Sequence, residues 1–355
     1  DVAPSRGLGD VYKRQVLNSL AGHSSDLNYK FERLYRLLFN ENLYALAYQN
    51  IASNEGNCTK GADGQSIDGM SVERIHNIID KLKDESYQPY PAKRVYIPKK
   101  NGKKRPLGIP AFDDKLVHEV VRMILESIYE GHFEKCSHGF RPHRSCHTAL
   151  ASIHEGFDGT RWFIEGDIKG FFDNIDHDVM IGILAERISD QRFLRLIRKF
   201  LNAGYMEKWQ FYNTYSGAPQ GGVVSPILAN IYLDKLDKYM QKYISFFNKA
   251  DKRRVNPEYK RIESRKYKRV KKLKNETDEQ KKEVLRQEIN KLHHEMQQLP
   301  ATLDMDENFR RMRYVRYADD FLIGVIGSKE ECVKAKEDIK AYLCLLYTSD
   351  AADDT

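Results

Sequence analysis

Apolar and polar residues alternate with two different periods along this chain, and the changes of period outline its elements. Apolar residues three or four positions apart predict helical structure over Tyr29–Tyr48, as one helix or two short ones, and helices over Asp113–Glu130 and Arg192–Asn202. "SVERIHNIIDKLK" predicts a helix with Ser71 as its N-cap, and "SPILANIYLDKLDKYMQKY" predicts one that begins at Ser225. These helices would supply most of the core.

Alternation with period two predicts strands at three main places. "AKRVYIPKKNGKKRPLGIP" predicts a hairpin that turns at its Asn-Gly pair, Trp162–Ile168 a strand, and Arg311–Gly327 a second hairpin. A helix capped by Asp176 or Asp178 follows the single strand, and "KEECVKAKEDIKAYL" forms a last helix. This order predicts an α+β fold whose main sheet is a ferredoxin-like split βαβ arrangement with helices on one face.

Three aspartates fall where such a sheet would bring strand ends together. Asp167 ends the strand "WFIEGD", and Asp319 and Asp320 lie in the turn of "YVRYADDFLIGV". Like charges about 4 Å apart cost roughly 1–4 kcal/mol, depending on the effective dielectric constant. A solvated turn accounts for many isolated Asp pairs. Because this pair is flanked by apolar strands and a third Asp leaves another strand, we expect the three to bind Mg²⁺ for phosphoryl transfer.

Composition and charge narrow the class of protein. The chain has 355 residues and 41% apolar content, enough for a soluble catalytic domain with a subdomain, and no apolar run long enough to span a membrane. The net charge of +7 is concentrated in residues 242–316, which carry 22 basic and 12 acidic side chains and favour a polyanionic partner. The five cysteines are scattered without a C-x-x-C pair, which predicts reduced thiols and a cytoplasmic location.

The two ends of the chain look foreign to the rest. Ser5–Gln15 and Cys344–Asp354 resemble in-frame translations of the adapters used in transposase-based DNA library preparation. We therefore exclude residues 1–15 and 344–355 from the fold prediction, as one would an expression tag. The native segment is then expected to run from about Val16 to Leu343 and to be truncated at both ends.

Five sequence blocks, in their order along the chain, resemble those of group II intron reverse transcriptases, the intron-encoded maturases. They are "RPLGIP", "SHGFRPHRS", "DIKGFFDNIDH", "GAPQGGVVSPILANIYLDKLD" and "YADD". The resemblance covers nearly all of residues 42–343. It implies a right-hand polymerase with an N-terminal extension and fingers over 16–150 and a palm over 151–343 that contains a basic helical insertion at about 242–310. The thumb and maturase regions would be missing, so we expect this segment alone to be poorly active.

The resemblance implies an RNA-directed DNA polymerase that extends a DNA primer with dNTPs on group II intron RNA or another RNA template. Two Mg²⁺ ions would be bound by Asp167, Ile168, Asp319 and Asp320, of which the aspartates are catalytic. The residues implied to bind the incoming nucleotide are Lys99, Arg105, Phe171, Phe172, Pro219, Gln220 and Gly221. One of the two phenylalanines would lie under the sugar and exclude a 2′-hydroxyl, and the other would belong to the core.

Contacts with template or intron RNA are implied for two further segments. The residues are Gly139, Phe140, Arg141 and Arg144 in the fingers, and Arg265, Lys268 and Arg269 in the basic insertion. In the first segment His138 and His143 replace an aromatic residue and a glycine that are common in the family. The spacing of its Cys and His residues does not fit a structural zinc site. The basic insertion is expected to be helix-prone from Glu276 onward, and an exposed charged hairpin is its alternative interpretation.

Other functions predict different residues. A splicing factor that only binds RNA would have no use for three mutually repelling aspartates. Retron and diversity-generating reverse transcriptases carry signatures that are not visible here, and a viral RNA polymerase would have Gly-Asp-Asp and an acidic residue in place of the sugar-facing aromatic. The sequence predicts no membrane partner and makes no prediction of oligomeric state.

Overall fold

The N-terminal part of the protein is helical. The computed structural model describes residues 6–53, 58–98, 102, 104–168, 170–208, 210–214, 216–217, 221–303 and 306–347, with the side chains of 6–14 excepted. Its first helices are α1 (Arg6–Ser24), α2 (Glu41–Ala52) and α3 (Val72–Lys83). The Ser71 side chain accepts a hydrogen bond from Arg74 N, which confirms the predicted N-cap of α3. The helical pattern over 29–48 is interrupted at Asn40, whose side chain caps α2.

The first sheet contains the two strands of the first predicted hairpin, while Asn101 of its predicted turn lies outside the described residues. Its strands are β1 (Ala92–Pro98), β2 (Lys104–Ile109), β4 (Tyr205–Glu207) and β5 (Gln210–Tyr212), in the spatial order β2-β1-β4-β5. Val95 lies opposite Leu107 in the antiparallel β1–β2 pair, and β4 joins the other side of β1 in parallel. This hairpin therefore extends from a small mixed sheet.

Helix α4 (Phe112–Tyr129) lies at the centre of the main core. Its start differs from the prediction, because the N-cap is Ala111 and no side chain caps the helix. Asp114 is buried instead and accepts hydrogen bonds from the Tyr87 hydroxyl and from Tyr90 N, the latter at 2.9 Å. The same core takes in residues from α7 (His177–Ala185), α8 (Gln191–Leu201) and α9 (Ser225–Phe247). Asp176, rather than Asp178, caps α7.

The second sheet is the predicted split βαβ arrangement. Its strands are β3 (Trp162–Asp167), β6 (Arg311–Tyr317) and β7 (Asp320–Ile326), in the antiparallel order β3-β7-β6. Helices α9 and α12 (Lys329–Tyr347) cover one face, where Leu236 and Ile339 pack with Ile323. The shorter α5 (Cys146–Gly156) packs on the other face against Val315 and Leu322, so helices cover both faces and not one face alone as predicted. The short α6 (Phe171–Asn174) follows β3.

The basic insertion is a helical hairpin. It consists of α10 (Pro257–Asn275) and α11 (Glu279–Gln297), so helix begins well before the predicted Glu276. Asn256 caps α10 and Pro257 occupies its first turn, a strong start signal that the dense positive charge obscured in the sequence. No helix in the described part of the chain has the length and apolar character needed to cross a lipid bilayer.

Candidate active site

Asp167 and Asp320 face each other across neighbouring strands. Asp167 is the last residue of β3, Asp320 is the first of β7, and the two are register partners. Side chains directly opposite on antiparallel strands have Cβ atoms about 4.5–5.5 Å apart. Asp319 precedes Asp320 in the tight turn that joins β6 to β7, where Tyr317 pairs with Asp320. The fold thus brings the three predicted aspartates to one end of the sheet.

Within the part of the chain that the structure describes, no cationic side chain pairs with these aspartates. Among the described residues, no ion pair or side-chain hydrogen bond involves Asp167, Asp319 or Asp320. Partial burial raises the pKa of the Asp320 carboxyl above its usual range, and the charges of Asp319 and Asp167 raise it further. An exposed end of a sheet that concentrates negative charge in this way is suited to binding divalent cations.

Carboxylate oxygens are the hard donors that Mg²⁺ prefers, so the residues present fit this ion. Within the described ranges, no group of three or more Asp, Glu, His or Cys side chains is arranged so that it could hold a metal ion as it stands. The donors are therefore supplied by adjacent strands and a turn rather than by a prebuilt cage. The Ile168 carbonyl accepts a hydrogen bond from Phe171 N at 3.0 Å, which leaves one of its lone pairs for another partner.

The turn that carries Asp319 is held in an uncommon conformation. Ala318 has a φ of +56°, in the left-handed region that non-glycine residues seldom adopt. Gly139 lies against it, and a Cβ atom at residue 139 would be only 2.3 Å from Ala318 N. On β3, Gly166 similarly makes room for the ring of Phe321. The glycine at 139 thus lets its loop approach the Ala318 turn closely, and the glycine at 166 lets β3 accommodate a ring from β7.

Phe171 and Phe172 take different places. Phe171 is 1% exposed and packs edge-on against Tyr232 of α9, with ring centroids 6.0 Å apart. Phe172 lines a cavity of about 280 Å³ beside the first sheet, together with Arg94 and Pro106 from the first hairpin. Both phenylalanines pack in the main core, and Phe172, 9% exposed, is the one of the two that also lines this cavity, which favours it as the sugar-facing aromatic.

Part of the implied nucleotide site can be located. Gly221 has a φ of +101°, and a Cβ atom there would lie 2.6 Å from the Gly108 carbonyl oxygen. The backbone at Gly221 therefore contacts β2 directly. Arg105 is exposed on β2 opposite Ile97. Lys99, Pro219 and Gln220 fall outside the described residues. The described part therefore places Gly221 against β2 of the first hairpin, and Phe172 beside residues of the same hairpin in the cavity that they line together.

Comparison with known proteins identifies the family. Residues 97–256 match the family model described as reverse transcriptase (RNA-dependent DNA polymerase). The group II intron-encoded protein LtrA of Lactococcus lactis subsp. cremoris is 48% identical over 330 residues, which are 92% of this chain and 54% of the relative. Protein YkfC of Escherichia coli is 33% identical over 329 residues, covering 90% of this chain and 77% of that protein. The chain belongs to the group II intron-encoded reverse transcriptases.

A further relative agrees with this assignment, and one solved structure shows only a weak likeness. The putative COX1/OXI3 intron 1 protein of Saccharomyces cerevisiae is 38% identical over 311 residues, 87% of this chain and 36% of the relative. A solved chain from a partial Cas6-RT-Cas1–Cas2 complex aligns with a TM-score of 0.40 and 16% identity over 91% of this chain and 43% of that one, a likeness too weak to argue from. This reverse transcriptase chain spans about half the length of the relative LtrA.

The arginines of the loop implied to contact the template make hydrogen bonds within the reverse transcriptase itself. The Arg141 side chain is 4% exposed and bonds Glu130, with further bonds to the carbonyls of Glu134 and Ser137 at 2.8 and 2.9 Å. The expectation that Arg141 contacts the template is therefore corrected, because its guanidinium has internal partners. Phe140, 54% exposed with a φ of +55°, is the residue that the loop presents to solvent.

Two other residues implied in template contact have different settings. Gly139 packs against the Ala318 turn, and Arg144 donates to the carbonyls of Lys135 and Ser137 at 2.6 and 3.2 Å. Arg144 is only partly covered, so it keeps a solvent-facing side. Residues 137–144 thus form a loop beside the turn that carries Asp319, and Phe140 and Arg144 are its solvent-accessible residues.

The helical hairpin has a distinct basic surface. We call the exposed cations of α10 the α10 basic face; they are Lys260, Arg261, Arg265, Lys268, Lys271, Lys272 and Lys274. Tyr267, 70% exposed, lies among them. Arg269 does not belong to this face, since it is half-buried toward α11 and bonds Glu288 at 2.5 Å. Its implied role in RNA contact stays a prediction, while Arg265 and Lys268 are the more exposed of the three implied residues.

Sequence reasoning missed the residues behind the catalytic turn. Arg316 and Asp237 form a pair in which both side chains are 0% exposed, and Asn230 lies beside them. A signal was present, since Asn230 and Asp237 are seven residues apart, on the same face of a helix stripe that is mostly apolar. Arg316 also lies two and four residues after Tyr314 and Met312 on β6, so its side chain is on the same buried side of the strand.

Proposed function

We propose that this chain is the fingers and palm of an RNA-directed DNA polymerase, which extends a DNA primer with dNTPs on an RNA template. The observation that carries the proposal is the register pairing of Asp167 with Asp320 beside Asp319. Reverse transcriptases as a family depend on metal ions, and the carboxylate donors favour Mg²⁺ as a pair of ions. Group II intron RNA is the natural template that family membership favours.

In this reaction the chain would mainly position its substrates. Asp167 and Asp319 would hold the ions, with Asp320 and the Ile168 carbonyl beside them, and bound ions would neutralise the charge that develops on the transferred phosphate. The primer 3′-hydroxyl attacks the α-phosphate and pyrophosphate leaves. Phe172 would close the space beside the sugar of the incoming nucleotide. Arg105 would supply positive charge for the triphosphate, with Lys99 and Gln220 as further implied contacts.

Single-nucleotide addition tests this proposal. The assay supplies the chain with a DNA primer on an RNA template, one matched dNTP and Mg²⁺, and compares it with Asp319→Asn and Asp320→Asn. Each variant should lose at least about 100-fold in rate, as expected when transition-state charge stabilisation is removed. Asp158→Asn is the matched control, since Asp158 is exposed in the turn before the far end of β3. Extension that is unaffected by Asp319→Asn contradicts the proposal.

The α10 basic face favours a second function, the binding of intron RNA as a maturase. Its cations project from a helix with no buried residue, so phosphates can reach them all along the helix. This function does not need the aspartates. RNA binding without any Asp319-dependent synthesis would favour a splicing factor over a polymerase.

A further inference from the structure

Arg316 is a buried cation directly behind the turn that carries Asp319. It lies on β6 and its Nε and Nη2 atoms donate to the two carboxylate oxygens of Asp237 on α9, at 2.8 and 2.6 Å. Burial disfavours the charged form of Arg316, but Asp237 raises the arginine pKa above its ordinary value. The two residues thus form an ionised, two-pronged pair with no exposed side-chain surface.

The remaining donors of Arg316 reach the turn and its surroundings. Nη1 donates to the Ala318 carbonyl at 2.8 Å and to Asn230 Oδ1 at 3.2 Å, while Nη2 also donates to Ser137 Oγ at 2.8 Å. The guanidinium has five N–H donors, and these bonds use all of them. One side chain therefore joins α9, the loop at Ser137 and the turn between β6 and β7.

The neighbours of Arg316 fix the same turn from a second direction. Asn230 donates through Nδ2 to the Gly139 carbonyl at 2.9 Å, and Gly139 packs against Ala318. His138 N donates to the Arg316 carbonyl at 2.9 Å. The left-handed conformation of Ala318 is thereby held by a carbonyl bond on one side and a backbone contact on the other.

The charge of Arg316 is not available to the catalytic aspartates. Asp237 neutralises it, and Asp237 also accepts a hydrogen bond from the Tyr314 hydroxyl at 2.9 Å. A buried ion pair of this kind is often no more stabilising than a well-packed apolar pair. Stability alone therefore does not account for it, whereas its bond to the Ala318 carbonyl gives it a geometric effect on the site.

We propose that Arg316 is a positioning residue, which through the Ala318 carbonyl holds the backbone of Asp319 and Asp320 opposite Asp167, where their carboxylates can bind divalent cations. Asp237 and Asn230 orient Arg316 in this role. The proposal rests on the proposed function, since it assumes that these aspartates bind the ions. It goes beyond that function by assigning a task to a residue that touches neither ion nor substrate.

The first test measures Mn²⁺ binding to the full chain by the loss of the free-ion EPR signal, together with kcat and KM for single-nucleotide addition. Arg316→Lys keeps the charge but offers only three donors from one atom, so it cannot keep every bond. We expect its Mn²⁺ Kd to rise and its kcat to fall by about tenfold or more, as for the loss of a hydrogen bond from a charged group. KM for the dNTP should change less than about twofold, well under the tenfold that one such bond is worth.

A second variant separates positioning from folding. Arg316→Met combined with Asp237→Leu removes both charges and fills their space, so its Tm should stay near that of the parent chain. Positioning predicts that its Mn²⁺ Kd is nevertheless raised as in Arg316→Lys. Arg254→Lys is the matched control, since Arg254 bonds the buried Asp306 at 2.8 Å at the base of the helical hairpin, away from the turn.

The outcomes distinguish the two proposals. If Arg316→Lys and the double variant both keep the parent Mn²⁺ Kd, or lose it only in proportion to the folded fraction seen by circular dichroism, Arg316 is merely structural and the inference is overturned. If Asp319→Asn leaves the Kd of the parent chain unchanged, the proposed metal site itself is wrong. Raised Kd with retained fold in either Arg316 variant, and normal Kd in Arg254→Lys, is the result that the inference predicts.

Discussion

Gly139 packs against Ala318 so closely that any side chain at residue 139 would meet the backbone of the catalytic turn. The nearest atom, Ala318 N, would lie 2.3 Å from an added Cβ, inside any real contact distance. Backbone cannot move aside as a flexible side chain can. The loop at Gly139 and the turn at Asp319 are therefore packed together as one unit.

Gly139→Ala is expected to displace the turn and to lower the rate of nucleotide addition by about tenfold or more, while most of the fold remains. Single-turnover extension and thermal unfolding measure the two effects. Gly182→Ala in α7 is the control, because a Cβ there meets nothing within 4 Å. It should stabilise the helix by about 0.5–1 kcal/mol and leave extension unchanged. Equal behaviour of the two variants would contradict the packing argument.

Phe172→Ala is expected to weaken discrimination between dNTPs and rNTPs. Removing the ring enlarges the cavity that Phe172 lines, so a 2′-hydroxyl no longer meets it. The ratio of kcat/KM for dNTP over rNTP should fall by about 10- to 100-fold, the range of a lost steric contact. Phe171→Ala should lower Tm more, since Phe171 is fully buried, with little change in this ratio. A larger loss of discrimination in Phe171→Ala would reverse the assignment.

The convergence of the aspartates could be predicted because strand ends are visible in the sequence. Asp167 closes an apolar run and Asp319 lies between two others, and the split βαβ order makes those ends neighbours. The start of α4 could not be predicted in the same way. Asp114 has the composition of an N-cap, yet tertiary hydrogen bonds from Tyr87 and Tyr90 hold it in the interior.

Two arginines that the resemblance implies in nucleic-acid contact have acidic partners within the protein, which the sequence did not predict. Arg141 bonds Glu130, eleven residues before it, and Arg269 bonds Glu288 on the neighbouring helix. The half-buried positions of α10 follow a spacing of three and four residues; they are Tyr259, Ile262, Lys266, Arg269 and Leu273. Charged residues at two of these positions hid the pattern that pairs α10 with α11.

The α10 basic face is expected to bind RNA mainly through phosphates. Arg265→Gln combined with Lys268→Gln should weaken binding of a structured intron RNA and reduce the slope of log K against log salt by about one to two units. Filter binding over a salt series measures both. Lys281→Gln combined with Lys291→Gln, on the exposed side of α11, is the control of equal charge. If the α11 pair changes affinity and slope as much, binding is not specific to α10.

Asp114 is expected to make folding stability depend on pH. Burial raises its pKa to about 7, although hydrogen bonds from Tyr87 and Tyr90 oppose this, and an unfolded Asp titrates near 4. Between these values the folded chain binds the proton more tightly, so stability is greatest below about pH 4 and falls as pH rises toward 7. The loss from this group is up to about 1.4 kcal/mol per pH unit.

Urea unfolding of the parent chain and Asp114→Asn at several pH values between 4.5 and 7.5 measures this contribution. The amide keeps the acceptor for Tyr90 N and cannot ionise, so the variant should gain stability relative to the parent as pH rises. Asp158→Asn, at an exposed turn, should follow the parent curve. Parallel curves for Asp114→Asn and the parent would show that Asp114 is not the buried acid responsible.

The central claim is that Asp167, Asp319 and Asp320 form the metal site of a polymerase. The most direct measurement is an anomalous difference map from crystals of the chain soaked in Mn²⁺ as a substitute for Mg²⁺. The account predicts a peak about 2 Å from carboxylate oxygens of both Asp167 and Asp319. A map in which ordered Mn²⁺ binds elsewhere, with none between these two side chains, would contradict it.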